Sequence, residues 1–474
     1  MAAIMAFVSL LVMTRCVPNE YGVMMWALAL VSLVNTVADL GFNSANLKFI
    51  AKEGYDQSAC FTSYMVIKIV LTVLLSIITV ATVFIMAELD MKDTEALHVC
   101  LVLLIYQIIS NVQFAIYYTL DGLMLSGKSA ILTIVECFLR NLILIIFALM
   151  ESDAMTLASA YVYATIVSVI ISVIMVHSAG IRLVRPKYLR EYIVFAAPLA
   201  AALILTSILT YLAQVLIGLY YPHQDIEVTY YTTAVGAITT LTAVGVSLNN
   251  VLLPHLSKNI ANRGKTEYTL WYLEKILCVV LFPFVTFLII LGPEVAVVLF
   301  GDRLGPSGEM ISILAIHIIP FVIAGVMTQV LYAINKGKAY LRASVLMCII
   351  AVAGFFILIP DETFMPFCFG LKGVGAAISV TVSYMVFVVI LILMVKKMIN
   401  HKLYPNIWKL FVAFIISSVA IYAIDQLISI HGFIQLALAG IFIEIMFLGT
   451  LYLMKEFSMG EVRTIWRKFR NDED

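Results

Sequence analysis

The sequence predicts an all-α polytopic membrane protein that crosses the bilayer about fourteen times. Three observations carry that prediction. Of 474 residues, 63% are hydrophobic and 12% charged, with a mean hydropathy of +1.05, whereas a soluble domain carries about 25% charged residues. Apolar runs of about 20 residues, the length that crosses ~30 Å of hydrocarbon, recur along almost the whole chain. Lys and Arg concentrate in alternate loops. Helices satisfy their own backbone groups where there is no water, so the spans form a helical bundle.

In chain order the spans fall near 1–17, 22–47, 59–87, 97–120, 130–150, 154–180, 192–220, 229–254, 270–291, 310–335, 339–360, 374–395, 406–428 and 433–453. The first is apolar without a basic n-region or an A-x-A-like site, which makes it a retained span rather than a signal peptide. It is short, which fits a start further upstream or a locally thin bilayer. The longest connection, 292–309, carries the turn signals Gly292-Pro293, Gly301 and Gly305-Pro306, and no loop is long enough for a soluble domain.

The even-numbered loops hold Lys48, Lys52, Lys128, Arg182, Arg185, Lys187, Arg190, Lys258, Arg263, Lys265, Lys336, Lys338, Arg342, Lys396, Lys397 and Lys402. The odd-numbered loops hold Arg15, Lys92, Arg303 and Lys372 among acids such as Asp90, Asp93, Glu151, Asp153, Asp225, Glu227 and Asp361. Basic loops stay cytoplasmic, so both termini are expected in the cytoplasm of a multi-pass protein of the cytoplasmic membrane. Cys368 then lies in an outer loop and Cys60 at a cytoplasmic helix start.

Several classes are excluded. A formal net charge of +0 without a basic block gives no electrostatic basis for nucleic-acid binding. Seven scattered cysteines, with no CxxC or Cys/His spacing, indicate neither a disulfide framework nor a metal site, and no cofactor is implied. Gly122-Leu123-Met124-Leu125-Ser126-Gly127-Lys128-Ser129 matches the phosphate-loop pattern letter for letter. That pattern binds nucleotide only between a strand and a helix of a soluble domain, and here a membrane span precedes it. It reads as a short turn.

A weak internal repeat is present. Ser126-Gly127-Lys128 and Lys336-Gly337-Lys338 are offset by 210 residues, and 19–43 overlays 226–250 at an offset of 207, matching Ala27 with Ala234 and Asn43 with Asn250. An even number of spans separates the copies, so two six-helix halves share one orientation, a transporter arrangement. The expected division is 1–190, 191–400 and a two-helix appendix with a tail, 401–474.

Ionisable residues inside spans are the strongest functional signal, because charge in hydrocarbon costs ~2.5–3.5 kcal/mol on insertion scales. Asp39, Lys68, Glu136 and Arg140 all fall in the first half. At 1.5 Å per residue, Lys68 and Arg140 sit about 15 Å from the starts of their helices and the two acids slightly lower, so the four are expected in one zone. Glu136 and Arg140 are placed to pair at i,i+4, and Asp39 can reach Lys68 from a neighbouring helix. Alternatively the two cations meet an anionic headgroup, arginine offering a planar fork to phosphate. Both can hold. Gln214, Asn249, Asn250, His317 and Gln329 read as interhelical hydrogen-bonding groups, and Glu444 as an acid needing a partner. Arg15, at the outer end of span 1, is an interface anchor or a gate residue.

Arg15-Cys16-Val17-Pro18-Asn19-Glu20-Tyr21-Gly22, followed by Ala38-Asp39-Leu40-Gly41-Phe42, resembles the opening of the polysaccharide transporter (O-antigen flippase-like) family. Leu291-Gly292-Pro293-Glu294 with Leu299-Phe300-Gly301, Ala333-Ile334-Asn335-Lys336-Gly337-Lys338 and Gly370-Leu371-Lys372-Gly373-Val374-Gly375-Ala376-Ala377 resemble its later landmarks. The resemblance implies the fold of the multidrug/oligosaccharidyl-lipid/polysaccharide exporter superfamily: two six-helix lobes around a central cavity, with two further helices in some members. It also implies a flippase that carries a lipid-linked oligosaccharide across the membrane by alternating access during polysaccharide biosynthesis at the cell envelope. Such a chain is expected to act as a monomer among membrane lipids, alongside glycan-assembly proteins. Gln214 stands where many relatives carry an acid, and Val228-Thr229-Tyr230-Tyr231 replaces a Gly-x-Tyr turn, which argues against cation coupling through that acid.

On this reading Lys68 and Arg140 contact the diphosphate, Asp39 and Glu136 hold or release them, and the protein is not an enzyme. A multidrug/cation antiporter of the same fold would need an unpaired acid for a cationic substrate, which the two cations oppose. A membrane glycan polymerase or ligase would carry a large outer loop, which is absent here.

Overall fold

The computed structural model describes residues 2–39, 41–240, 242, 263–334, 336–364, 366–399, 403–428, 430 and 432–456. All regular structure among them is helical: α1 (Ala2–Cys16), α2 (Pro18–Asn35), α3 (Phe42–Ile50), α4 (Gln57–Glu88), α5 (Thr94–Gly122), α6 (Ser126–Leu149), α7 (Ala154–Ser178), α8 (Leu189–Tyr220), α9 (225–240), α10 (Arg263–Val295), α11 (Ser307–Ala333), α12 (Gly337–Leu358), α13 (Lys372–Ile399), α14 (Ile407–Ile428) and α15 (Phe433–Leu453). Eleven helices among the described residues are long and apolar enough to cross a membrane, and Ile4–Cys16 and Ser207–Tyr220 are shorter apolar helices. The chain is a multi-pass membrane protein. Its polarity pattern is that of a chain surrounded by lipid: Ile69, Val70, Val73 and Ile77 lie exposed along α4 while Lys68 is buried.

The expected spans map onto these helices with two differences. The run at 22–47 is broken. Helix α2 stops at Asn35, a 3₁₀ turn occupies Thr36–Ala38, and Gly41 adopts φ 81° before the nine-residue α3. A residue with a Cβ rarely takes that left-handed conformation, so the helix ends where the D-x-G sequence stands. The loop expected at 292–309 is largely helical. Helix α10 bends at Leu291 ahead of Pro293 and runs into a π-helical turn, Ala296–Phe300, so the Gly-Pro signal marks a kink rather than a turn. The phosphate-loop look-alike joins α5 to α6 through the short turn at 123–125, as a topological link. Asn249 and Asn250 lie outside the described residues.

The chain forms two compact units, one of Met1–Gly236 with Cys348–Ser379 and one of Ala237–Met347 with Val380–Asp474. In the first, α5 packs on α2, α4 and α7, and α6 packs on α1 and α7. Odd-numbered loops meet at one end of this unit: Glu20 accepts a hydrogen bond from the Ala154 N–H at 3.1 Å, Lys92 pairs with Asp225, and Lys372 pairs with Glu227 at 2.7 Å. Even-numbered loops meet at the other, where residues 182–188 bond to the start of α4. Alternation of loops between two ends is what an uninterrupted series of membrane crossings requires.

In the second unit, α14 and α15 form a hairpin against α10. Its open end is closed by Glu456, which accepts from the Tyr404 hydroxyl and pairs with Lys409 at 2.9 Å. Burial pushes that carboxyl up, but the bonds from Tyr404 and Lys409 outweigh it and hold the group below the usual carboxylate range.

Gly22 in α2 has no room for a side chain: a Cβ there would stand 2.2 Å from the Asp225 carbonyl oxygen. Replacing it with alanine forces α2 away from α9, and overpacking of this kind costs about 1–3 kcal/mol. Gly449, in α15, has nothing within 4 Å of its Cβ direction. Gly22→Ala is expected to lower the thermal transition of the detergent-solubilised protein by several degrees, while Gly449→Ala leaves it unchanged or slightly raised, as helix propensity dictates.

Candidate functional site

The break between α2 and α3 places Asp39 beside α4. Its carboxylate Oδ1 pairs with Lys68 Nζ. The pair is asymmetric: the Lys68 side chain is 1% exposed and that of Asp39 43%. The lysine also lies 5.8 Å from the Tyr64 ring, and Tyr64 donates its hydroxyl to Asn43 on α3. The cation is thus sealed beneath its acid. What faces open space is a carboxylate.

Next to this pair, Asn111 of α5 donates to Asn35 at 3.0 Å and to Thr72 of α4 at 2.9 Å. These bonds tie the last turn of α2 to α4 and α5 just before the chain breaks. Three helices therefore hold the break in place with two side-chain amides and a threonine hydroxyl, neutral groups that can bridge helices in hydrocarbon without adding charge.

Glu136 and Arg140 form the expected i,i+4 pair on α6, Nη1 to Oε1, at 3.2 Å. The guanidinium carbon stands 5.1 Å over the Tyr161 ring of α7. The other oxygen of Glu136 accepts from Gln113 Nε2 of α5 at 2.9 Å, and the same amide donates to Ser168 of α7 at 2.8 Å. Arg140 keeps a quarter of its side chain exposed.

The four charges expected in one zone therefore form two groups. Asn111 reaches the Asp39 side and Gln113, two positions and about 200° further round α5, reaches Glu136. Helix α5 separates the two pairs. Axial depth along a helix is legible from residue count, but the face toward which a side chain points depends on helix packing, which the spans alone do not give. Arg15 is exposed at the C-terminal end of α1. Gln214 is buried, and His317 packs edge-on to Tyr384 at 4.4 Å within the second unit, as an aromatic core position. Glu444 borders an apolar pocket of about 520 Å³ whose other lining includes Phe284, Phe287 and Phe433. Among the described residues no group of three or more His, Cys, Asp or Glu side chains could hold a metal ion.

Sequence reasoning passed over the ionic end of the first unit. Lys92 is buried with its ammonium bonded to Asp225 and to the Pro222 carbonyl at 2.7 Å, 5.2 Å from the Trp26 ring. Lys372 bonds Glu227 at 2.7 Å and Gln224 at 2.8 Å, and its ammonium stands 5.0 Å from the Tyr221 ring. Two isolated cations in otherwise acidic loops were the available signal: each is matched to an acid in the first turn of α9.

Residues 1–260 match the model of the family described as "Polysaccharide biosynthesis protein". The chain belongs to this family. No curated protein matches the sequence. Among solved structures, this family member resembles the lipid II flippase MurJ in an inward closed conformation, at 15% identity over 95% of this chain and 97% of that one, with a TM-score of 0.75. It also resembles a multidrug resistance MATE family transporter of the MOP superfamily in an inward-facing conformation, at 16% identity over 84% of this chain and 95% of that one, with a TM-score of 0.63. The chain thus shares the fold of these two structures, as its sequence landmarks imply.

The asymmetry of the central pair sets an order of damage. Asp39→Asn leaves a buried lysine uncompensated and is expected to cost about 3 kcal/mol, the lower end for breaking a buried pair. Lys68→Gln leaves an acid that is already partly solvated and should cost less. The double variant should recover most of the loss, as measured by thermal stability and folded yield of the purified protein.

Proposed function

We propose that the protein is a flippase that moves a lipid-linked oligosaccharide, or a related polysaccharide precursor, across the cytoplasmic membrane by alternating access. The observation that carries this reading is the broken α2–α3 helix with a partly exposed carboxylate over a buried cation. Irregular backbone at membrane depth is tolerated only where protein or a water-filled cavity surrounds it, and discontinuous helices mark substrate sites in transporters. Family membership and the transporter fold support the same reading. The flippase activity in the name of the MurJ structure belongs to that protein; here it supplies the chemistry to test.

A diphosphate with several sugars cannot enter hydrocarbon, whereas its lipid tail can stay there. Lys68 and Arg140 are the proposed phosphate contacts, and Asp39 and Glu136 the acids that hold each cation until substrate displaces them. Lys68 would be presented only once Asp39 swings aside, so the resting site stays closed to anions. Arg140, partly exposed, needs less rearrangement. Arg15 is proposed as a gate residue. The lobes would be 1–190 and 191–400, with 401–474 appended, and the chain would act as a monomer with both termini in the cytoplasm, beside the proteins that assemble the glycan. An antiporter for cationic drugs would gain from the exposed Asp39, but the lysine sealed beneath it opposes a cation. The short loops of the sequence count against a glycan polymerase or ligase, which would place its catalytic residues in a large outer loop.

Deleting the gene should make the lipid-linked glycan accumulate on the cytoplasmic leaflet while its synthesis continues; accumulation of bare carrier lipid would point to an enzyme. Asp39→Asn/Lys68→Gln and Glu136→Gln/Arg140→Gln should each express well and fail in transport, and Arg140→Lys should keep part of the activity, retaining charge without the bidentate fork. Normal transport by both double variants would remove these residues from the mechanism. Cys60 and Cys368 are both buried, so neither native thiol reports sidedness. Cysteines introduced at the exposed positions Glu53 and Glu362 should do so, with only the second labelled by an impermeant thiol reagent in right-side-out vesicles.

A further inference from the structure

The segment between α7 and α8 is held as an extended strap. Ile181 anchors one end in a cluster with Phe61, Leu132 and Val176, and Tyr188 anchors the other, 4.7 Å from the Tyr55 ring. Between them the N–H groups of Arg182 and Val184 donate to Ser58 Oγ at 3.2 Å and Thr62 Oγ1 at 3.0 Å, and those of Lys187 and Tyr188 to Ser63 Oγ, both at 3.1 Å. Thr62 and Ser63 donate their own protons to helix carbonyls at 2.8 and 2.7 Å, which leaves their oxygens as acceptors for the strap.

Pinned in this way, the strap displays Arg182, Leu183, Arg185 and Lys187 outward, with Arg190 in the first turn of α8 continuing the row. Leu183 is 72% exposed. None of the four cations forms an ion pair among the described residues. Of the nearby acids, Asp56 is engaged in capping α4, while Glu53 and Glu191 are exposed.

We infer that the strap at 181–190 is a binding site for anionic phospholipid headgroups at the bilayer surface. It joins the ends of two membrane helices, which places it at headgroup depth. Four cations held close together repel one another unless anions sit between them, and guanidinium forks match phosphate oxygens. A protruding leucine among cations suits the boundary between headgroups and acyl chains. Topological bias alone asks only that basic residues be somewhere in the loop; it does not ask for four backbone bonds that fix their spacing. The inference does not depend on what the protein transports.

Native mass spectrometry of the full chain, titrated with phosphatidylglycerol or phosphatidylcholine of the same acyl chains, tests it. Juxtamembrane cations each add severalfold to anionic-lipid binding, so the wild type should bind phosphatidylglycerol at least about tenfold more tightly. R182Q/R185Q/K187Q/R190Q should lose most of that preference, and the corresponding lysine substitutions at the three arginines should keep much of it. K336Q/K338Q/R342Q/K396Q, which removes the same number of cations elsewhere, should leave it intact. S58A/T62V/S63A keeps every charge but frees the strap, and should weaken the preference severalfold. Equal losses in the two quadruple variants, an unpinned strap that binds as before, or no preference in the wild type would overturn the site. So would a strap variant that binds phosphatidylglycerol normally but loses glycolipid transport, because the strap would then belong to the substrate path.

Discussion

A lysine inside a bilayer helix has to be neutralised where it stands, and Asp39 does this for Lys68 from a helix that ends in order to reach it. If α2 ran on unbroken through 22–47, position 39 would lie on a regular helix. The 3₁₀ turn at Thr36–Ala38 and the left-handed Gly41 instead set the carboxylate against α4. The backbone groups freed by the break would be costly in lipid. They are placed where Asn35, Asn111 and Thr72 link three helices and where Tyr64 and Asn43 join α4 to α3. One ion pair therefore accounts for the break, for the polar residues around it, and for an apolar α4 that carries its one cation on a buried face.

The second pair is built differently. Glu136 and Arg140 sit on one helix and need no break to meet. Their surroundings, Gln113, Ser168 and Tyr161, are supplied by α5 and α7, whose close packing forms much of the interior of the first unit. At the odd-loop end, Lys92 and Lys372 hold the start of α9 through Asp225 and Glu227. Of these four pairs, three join separate segments of the chain and Glu136–Arg140 closes within α6.

Much of the fold was legible because bilayer thickness dictates helix length. The helices follow the apolar runs closely, and the D-x-G and Gly-Pro signals fell at real irregularities, although the first proved to be a broken helix and the second a kink. The ion pairs were also legible, Glu136–Arg140 from spacing and Asp39–Lys68 from depth. What the sequence did not reveal was azimuth. Asn111 and Gln113 are two residues apart and serve opposite sides of α5, which separates charges that residue counting had placed together. Partners distant in sequence, such as Lys92 with Asp225, carry no local signature at all. Asn250, which the weak repeat matches to Asn43, falls outside the described residues, as does Asn249.

The central claim is that substrate phosphate takes the place of Asp39 on Lys68 during translocation. The most direct measurement is leaflet exchange of a fluorescent polyprenyl-diphosphate oligosaccharide in proteoliposomes of the purified chain, followed by a membrane-impermeant quencher, for the wild type and for Asp39→Asn/Lys68→Gln. The account expects rapid exchange in the wild type and only the protein-free background rate in the folded double variant. Exchange at the wild-type rate without either charge would contradict it.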